Sequence, residues 1–360
     1  MPHPRVLVVY NEPVLPPNHP DFASEHDILE TVADTCRILQ GAGFAVGRFS
    51  FNYDPSVLIK ELKDSPPDAV FNLFEGLATD PGTEVTAAGL LEWLSVPFTG
   101  SPSTAIALAR DKVRTKHMLR GAGVPTPPFL VVENAPCPIW SHPWPAIVKP
   151  ACQDGSVGID QESVVTDQEQ LARRVEYILE RYGPPVLVEQ FIFGREFHVS
   201  YVEEPGESPL APVLTLVPLA EVRFHDERSK GLWPIYTYEA KWAEQSEEFR
   251  TSPLEAPVYL PAEQTERVDQ VCRAAYRLVG LRDYGRVDIR LSPDGEPFVL
   301  EVNPNPYLNS AALMRGLEII GRSFKQFVAN LVWAALARAG KAAPRPSDNS
   351  ARVGSAPKAS

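Results

Sequence analysis

Over the first hundred residues, short unbroken apolar runs alternate with amphipathic stretches. Arg5-Val-Leu-Val-Val-Tyr10 and Asp68-Ala-Val-Phe-Asn-Leu73 are the runs, and continuous apolar character of that length predicts strands buried on both faces of a parallel sheet. Between them a helix is predicted to open at Ser24, with Glu25 and Asp27 in its first turn and a mainly apolar stripe of Ile28, Val32, Thr35 and Leu39. Carboxylates in a first turn suit the helix dipole. Gly41-Ala-Gly43 ends that helix before a strand at 45–49, and a further helix is predicted over 84–94. Strand and helix alternating at this spacing predict an open α/β sheet.

Beyond Asp111 the pattern changes. A helix over 112–120 closes at Gly121-Ala-Gly123, a strand covers 146–149, and a glycine-containing loop runs over 150–158. An amphipathic helix over 167–182 stops at Gly183, and strands follow at 186–191 and 196–202. From about 209 to 303 the pattern is mostly strands, broken by a polar loop at 243–252 and a helix at 263–279. A last helix is predicted over 316–337, and the Ala-, Pro- and Ser-rich tail from Gly340 is predicted to be disordered.

The hairpin from Tyr284 to Asn303 is the most informative stretch. Asp294-Gly295 favours a two-residue type I′ turn. That turn sets Asp288 opposite Glu301 and Arg286 opposite Asn303, with all four side chains on one face. Val287, Ile289, Leu291, Phe298, Leu300 and Val302 are then assigned to the other face, against a core. A half-buried hairpin with a solvated charged face would carry the same pattern, so its company elsewhere decides the reading.

Composition narrows the classes of function. A chain of 360 residues suits two or three domains. The net charge of −12 argues against a nucleic-acid partner, which needs a basic surface. No apolar run approaches the roughly 20 residues that span a bilayer, and no signal-peptide pattern opens the sequence, so a cytoplasmic location is expected. Cys36, Cys137, Cys152 and Cys272 are too scattered for a zinc site and read as reduced thiols.

Two carboxylates and an amide oxygen, Asp288, Glu301 and Asn303, form a hard-oxygen set that suits Mg²⁺ bound together with phosphates. Arg286 beside them suits a phosphate or a developing oxyanion. Lys149 ends an apolar strand and leads into a loop whose Gly155, Ser156 and Gly158 offer backbone N–H groups to phosphate oxygens. No Gly-Lys-Ser/Thr follows, so the loop is not a P-loop. The strand at 186–191 runs into a link that offers backbone hydrogen bonds to an adenine, and Glu196 suits ribose hydroxyls.

At these residues the chain resembles the ATP-grasp superfamily, and within it the D-alanine–D-alanine ligases, from about Glu25 to Asn309. Asp111-Lys-Val-Arg-Thr-Lys-His-Met-Leu-Arg-Gly-Ala-Gly-Val-Pro125 looks like the family's first ATP-binding helix, in which Lys112 reaches the phosphates. Lys149 and the loop with Gly155, Ser156, Val157 and Gly158 look like the second lysine and the lid. Glu189, Gln190, Phe191 and Ile192 look like the adenine hinge, and Glu196 like the ribose acid. Tyr236-Thr-Tyr-Glu-Ala-Lys-Trp242 is similar to the loop whose lysine, here Lys241, contacts the γ-phosphate. Asp288, Glu301 and Asn303 match the family's magnesium ligands, Arg286 its oxyanion arginine, and Glu25 its N-terminal glutamate. Pro97-Phe-Thr-Gly-Ser101 resembles the segment closing the N-terminal domain.

The resemblance implies an ATP-grasp fold of α/β and α+β class, with an N-terminal open parallel sheet over 1–110. Two α+β subdomains, at 111–194 and 195–339, would then clamp ATP, and a tail covers 340–360. It implies an amide-bond-forming ligase that uses ATP and Mg²⁺, with Mn²⁺ as a substitute. A small-molecule carboxylate and an amine would meet through an acyl phosphate, and a homodimer through the N-terminal domain is the family's habit. Several positions depart from the family. The metal motif continues Pro304-Asn-Pro-Tyr-Leu-Asn-Ser310 where the family has a Pro-Gly turn and serines. Gly155 and Trp242 stand where the family has a serine and a tyrosine linked to the glutamate, and Glu75 replaces a histidine. A substrate pair other than two D-alanines is therefore expected. A D-alanine–D-alanine ligase with an altered pocket, or an ATP-binding protein without turnover, are the alternatives. Glu25 has two readings, helix-dipole partner or ligand of a substrate ammonium, and His26 and His225 read as surface or packing residues.

Overall fold

A computed structural model describes residues 3–16, 25–77, 80–153, 155–225, 231–243 and 245–341. Ser24, Asp154 of the glycine loop and the tail beyond Lys341 lie outside them. Three sheets organise the described residues.

The first contains β1 (Arg5–Asn11), β2 (Ala45–Phe51) and β3 (Ala69–Leu73) in the order β2-β1-β3, all parallel. Alternate residues of its unbroken apolar runs serve different cores. Val6, Val8 and Phe71 pack with α1 (Ile28–Gly41), whereas Leu7, Val9 and Val70 pack with α2 (Ser56–Asp64) and α3 (Thr83–Trp93). This is why neither strand shows a polar face. After α4 (Ser103–Arg110) comes α5 (Lys112–Gly121), capped by Asp111, which accepts from Arg114 N at 2.9 Å.

The second sheet is antiparallel, with β4 (Phe129–Val132), β5 (Ala146–Pro150), β6 (Val164–Val165) and β7 (Val186–Gln190) in the order β4-β7-β5-β6. It is covered by α6 (Gln168–Tyr182), which buries Leu171, Val175 and Ile178 and ends at Gly183 with φ +76°.

The third sheet holds β8 (Arg195–Ser208), β9 (Ala211–Leu216), β10 (Leu219–Val222), β11 (Leu254–Val258), β12 (Tyr284–Leu291) and β13 (Pro297–Pro304). Its order is β11-β10-β8-β12-β13, with β9 paired to β8. A short helix, α7 (Tyr238–Trp242), precedes the expected polar loop at 243–252, and a second, α8 (Glu247–Thr251), lies within it; the hydroxyls of Thr237 and Ser246 cap them. The back of the sheet packs on α9 (Ala262–Val279) through Val268, Val271, Cys272 and Ala275.

Two expectations are corrected here. The last predicted helix is two helices, α10 (Ala311–Ile319) and α11 (Phe324–Arg338), separated at Gly321 with φ +72°. The second of them returns to the first sheet, where Phe327, Val328, Leu331 and Val332 join the core of β1 and β3. The hairpin turn is also wider than two residues, with Leu291 paired to Pro297 and Ile289 to Val299. A bulge between Asp288 and Ile289 on this ladder then restores the pairs Asp288–Glu301 and Arg286–Asn303. The bulge reverses the facing of one segment. Val299 enters the core at 0% exposure, and Leu300 lines the cleft in place of its expected core position.

Candidate active site

The polar face of the third sheet looks across to the second sheet, and between them lies an open cleft lined by residues of both. Neighbouring strands place their functional side chains in rows. His198 on β8 is opposite Asp288 on β12, which is opposite Glu301 on β13. One step along, Glu196 is opposite Arg290, and one step the other way Ser200 is opposite Arg286.

Asp288 accepts a bidentate pair from Arg286, at 2.7 Å from Nε and 2.9 Å from Nη2. The Asn303 amide nitrogen lies 3.0 Å from Asp288 Oδ2 and 3.4 Å from Glu301 Oε1. That NH₂ group therefore occupies the place between two carboxylates that a cation would take. Rotating the amide by half a turn presents its oxygen there, giving three hard oxygen donors. The residues fit a divalent ion. Burial and the nearby Glu301 raise the Asp288 pKa to about 6 against the pull of Arg286. Burial also opposes charge on Glu301, yet Lys112, Lys241, Arg286 and Lys149 hold its carboxyl well below the ordinary range.

The lysines surround the same point. Lys112 donates to the Gln153 carbonyl at 2.5 Å and stands 3.7 Å from Glu301. Lys149, at the end of β5, lines the cleft and pairs with Glu189, whose other oxygen meets Lys116. Lys241 lies 5.0 Å over the ring of Tyr236 and lines the same cleft.

The glycine loop is clasped to the 233–242 segment. Gly155, Ser156 and Gly158 have φ of +64°, +66° and +77°, and Val157 lies between the last two. A left-handed Ser156 is uncommon for a residue with a side chain, and its hydroxyl donates to the Tyr236 carbonyl at 2.8 Å. The Trp242 indole N–H donates to the Gly155 carbonyl at 3.3 Å, so the pair that departs from the family still joins, through a backbone oxygen. Tyr238 N donates to the Ile159 carbonyl at 3.3 Å.

The hinge is arranged differently from its expected form. Glu189 is 1% exposed and its carboxylate is taken by the two lysines. The backbone N–H groups of Gln190 and Phe191 donate to the carbonyls of Pro128 and Pro145, both at 2.9 Å. Gln190, Phe191 and Ile192 all line the cleft. Glu196 accepts from Arg290 Nε at 3.0 Å, and that guanidinium lies 5.1 Å over the Phe191 ring.

Glu25 is used locally. It accepts from Val14 N at 3.0 Å and Leu15 N at 2.8 Å, anchoring the segment after β1. Burial and the nearby Asp27 push the Tyr307 pKa up to about 12. Burial and Asp27 together raise the Glu75 pKa to about 7.

Sequence reasoning missed Lys116, His198, Tyr236 and Arg290. Spacing signals were present: Lys116 follows Lys112 by one helical turn, and His198 and Arg290 sit two positions beyond Glu196 and Asp288 on the same strand faces. Burial, with Arg286 and Lys241 nearby, keeps His198 neutral, its pKa well below the usual imidazole value.

Residues 118–333 match the family model described as the D-ala D-ala ligase C-terminus. The D-alanine–D-alanine ligase of Gloeobacter violaceus is 32% identical over 304 residues, covering 82% of this chain and 91% of that one. An uncharacterized protein, y4sG, of Sinorhizobium fredii is 31% identical over 272 residues, 73% of this chain and 75% of the other. The crystal structure of D-alanine–D-alanine ligase from Bacillus anthracis complexed with ATP superposes with a TM-score of 0.70 at 22% identity, covering 94% of this chain and 99% of that one. The Coxiella burnetii ligase superposes with a TM-score of 0.67 at 16% identity, over 94% and 96%. Among the described residues no helix is long and apolar enough to cross a membrane.

Proposed function

The chain belongs to the D-alanine–D-alanine ligase family, ATP-dependent enzymes that form carbon–nitrogen bonds, and from that premise we propose that it condenses an amino-acid-like carboxylate with an amine in a pair other than two D-alanines. One observation supports the proposal: the residues at the expected substrate end depart from the family's pattern. Trp242 clasps a backbone oxygen of Gly155 where the family links side chains, and Glu75 and Tyr307 group around Asp27. A larger acceptor with an aromatic or amino-acid-like body fits such a wall better than a methyl group does.

In this reading the nucleotide lies in the cleft, its adenine beside Gln190, Phe191 and Ile192 and its ribose beside Glu196. Lys112, Lys149 and Lys241 offset charge on the phosphates, and Gly155, Ser156, Val157 and Gly158 cover them. Asp288, Glu301 and Asn303 would hold Mg²⁺, or Mn²⁺ in its place, which supplies charge neutralisation at the transferring phosphoryl group. Arg286 stabilises the oxyanion formed when the amine attacks the activated acyl group. The closed loop keeps water from that activated group. Glu25 acts indirectly, by fixing the segment after β1 at the substrate end. Division into units 1–110, 111–194 and 195–339, a cytoplasmic location and a homodimer belong to the same proposal.

The Gloeobacter relative, matched over most of its length, favours a second reading in which both substrates are D-alanine. Phosphate release measured with ATP and Mg²⁺ across a matrix of D- and L-amino acids and small carboxylic acids, with mass spectrometry of each hit, separates the two. A mixed condensation product supports the proposal. D-alanyl-D-alanine as the dominant product replaces it with the second reading.

A further inference from the structure

Lys116 is 1% exposed, and the roles assigned above leave it without a task. Its ammonium meets Glu189, donates to Thr126 Oγ1 at 2.8 Å and donates to the Val299 carbonyl at 3.1 Å. Two hydrogen bonds and the ion pair with Glu189 thus turn this ammonium toward the protein interior. Thr126 closes the arrangement by donating to the same Val299 carbonyl at 2.8 Å. Burial lowers the Lys116 pKa to about 8 against the pull of Glu189, which leaves it protonated at neutral pH.

The partners explain what this cation does. Glu189, on β7 of the second sheet, divides its carboxylate between Lys116 and Lys149. Lys149 lines the cleft, whereas Lys116 is sealed behind it. Together the three groups carry one net positive charge. Without Lys116, Glu189 and Lys149 would form a neutral pair, and the cleft wall would lose that charge. Val299 lies two positions before Glu301, so the same ammonium also ties the second sheet to the strand bearing a proposed metal ligand.

We infer that Lys116 is a positioning residue for nucleotide binding, holding one oxygen of Glu189 so that Lys149 keeps a net charge for the nucleotide phosphates. This rests on the reading of Lys149 as a phosphate-binding lysine.

Calorimetric titration of the full chain with ATP and with AMP tests it. Lys116→Met is expected to weaken ATP about tenfold and AMP less than threefold, because AMP lacks the β- and γ-phosphates. The double variant Lys116→Met with Glu189→Gln removes both buried charges and frees Lys149, so ATP affinity is expected to return to within about threefold of wild type. Lost packing alone would weaken both nucleotides equally and leave the double variant no better than the single one. Either result overturns the inference, as does wild-type ATP affinity in Lys116→Met. Should Lys116→Met not fold, the double variant is read alone, and a tenfold loss of ATP affinity in it overturns the inference. Lys149→Met separates the underlying reading: undiminished ATP affinity there refutes the role of Lys149, and this inference with it.

Discussion

Replacing Trp242 by phenylalanine isolates one hydrogen bond of the lid. The indole N–H donates to the Gly155 carbonyl at 3.3 Å, and Trp242 is 51% exposed. A net contribution of about 0.5–1 kcal/mol follows for one partly hydrated bond of this length. Phenylalanine keeps most of the ring area, so little packing energy is lost with it. The loop retains the Ser156 bond to Tyr236 at 2.8 Å and the Tyr238 bond to Ile159 at 3.3 Å. The closed form should therefore lose only that single increment, about two- to fivefold in equilibrium. Calorimetry with ATP is expected to show a Kd raised by about that factor. Once a substrate pair is known, the fraction of phosphate released without condensed product should rise, because a looser lid admits water. An unchanged Kd would mean that the bond is absent with nucleotide bound. A loss greater than about twentyfold would mean that Trp242 contacts a ligand, and either result refutes the reasoning.

Asp288→Asn and Glu301→Gln are expected to abolish turnover and the calorimetric signal of Mg²⁺ or Mn²⁺ binding while circular dichroism stays that of wild type; wild-type activity in both would remove them from the metal site. Arg286→Ala should retain ATP binding within about fivefold but lose product formation, on the proposal that its guanidinium serves the oxyanion; an unchanged kcat refutes that role. Glu75 has a folded-state pKa of about 7, above its unfolded value of 4.5, so the stability it contributes is full below pH 4.5 and lost as pH rises through 7. Glu75→Gln should accordingly match the wild-type melting temperature near pH 4.5 and exceed it at pH 8, and equal temperatures at both would contradict the shift. Arg338 pairs with Asp283 at 2.6 and 3.0 Å, and Asp283 is 1% exposed. Arg338→Met should cost about 3 kcal/mol in urea unfolding, since it leaves a buried carboxylate short of its cation; a loss under 1 kcal/mol would show that the other bond to Asp283, from Gly100 N at 2.7 Å, suffices.

Much of the site is legible in the sequence because its signals are local. The apolar runs at β1 and β3 report strands covered on both faces, and both are covered. Alternation along the hairpin puts Arg286, Asp288, Glu301 and Asn303 on one face, and they share it. The turn that leads to this register is nevertheless not the one that forms: a wider turn and a bulge compensate each other, so the important pairs survive while Val299 and Leu300 exchange their expected surroundings. Glycines at 155 and 158 signal left-handed backbone, but the left-handed Ser156 between them carries no such signal.

Periodicity, turn chemistry and side-chain type act over a few residues, so the sequence suffices for most of the elements, for the order of the segments proposed to hold a nucleotide and for the cluster of hard oxygen donors. Which charges are spent and which face the cleft is settled by tertiary contacts instead. Glu189 reads as a hinge residue along the chain, yet two lysines from different elements take its carboxylate. Glu25 reads as a helix-dipole partner or as a ligand of a substrate ammonium, yet backbone N–H groups from the segment after β1 hold it. Helix α11 reads as part of one last helix over 316–337, yet it is a separate helix whose apolar face completes the core of the first sheet. Each of these depends on contacts between separate segments of the chain, and a buried ionic group takes its role from whichever partner the fold brings within reach.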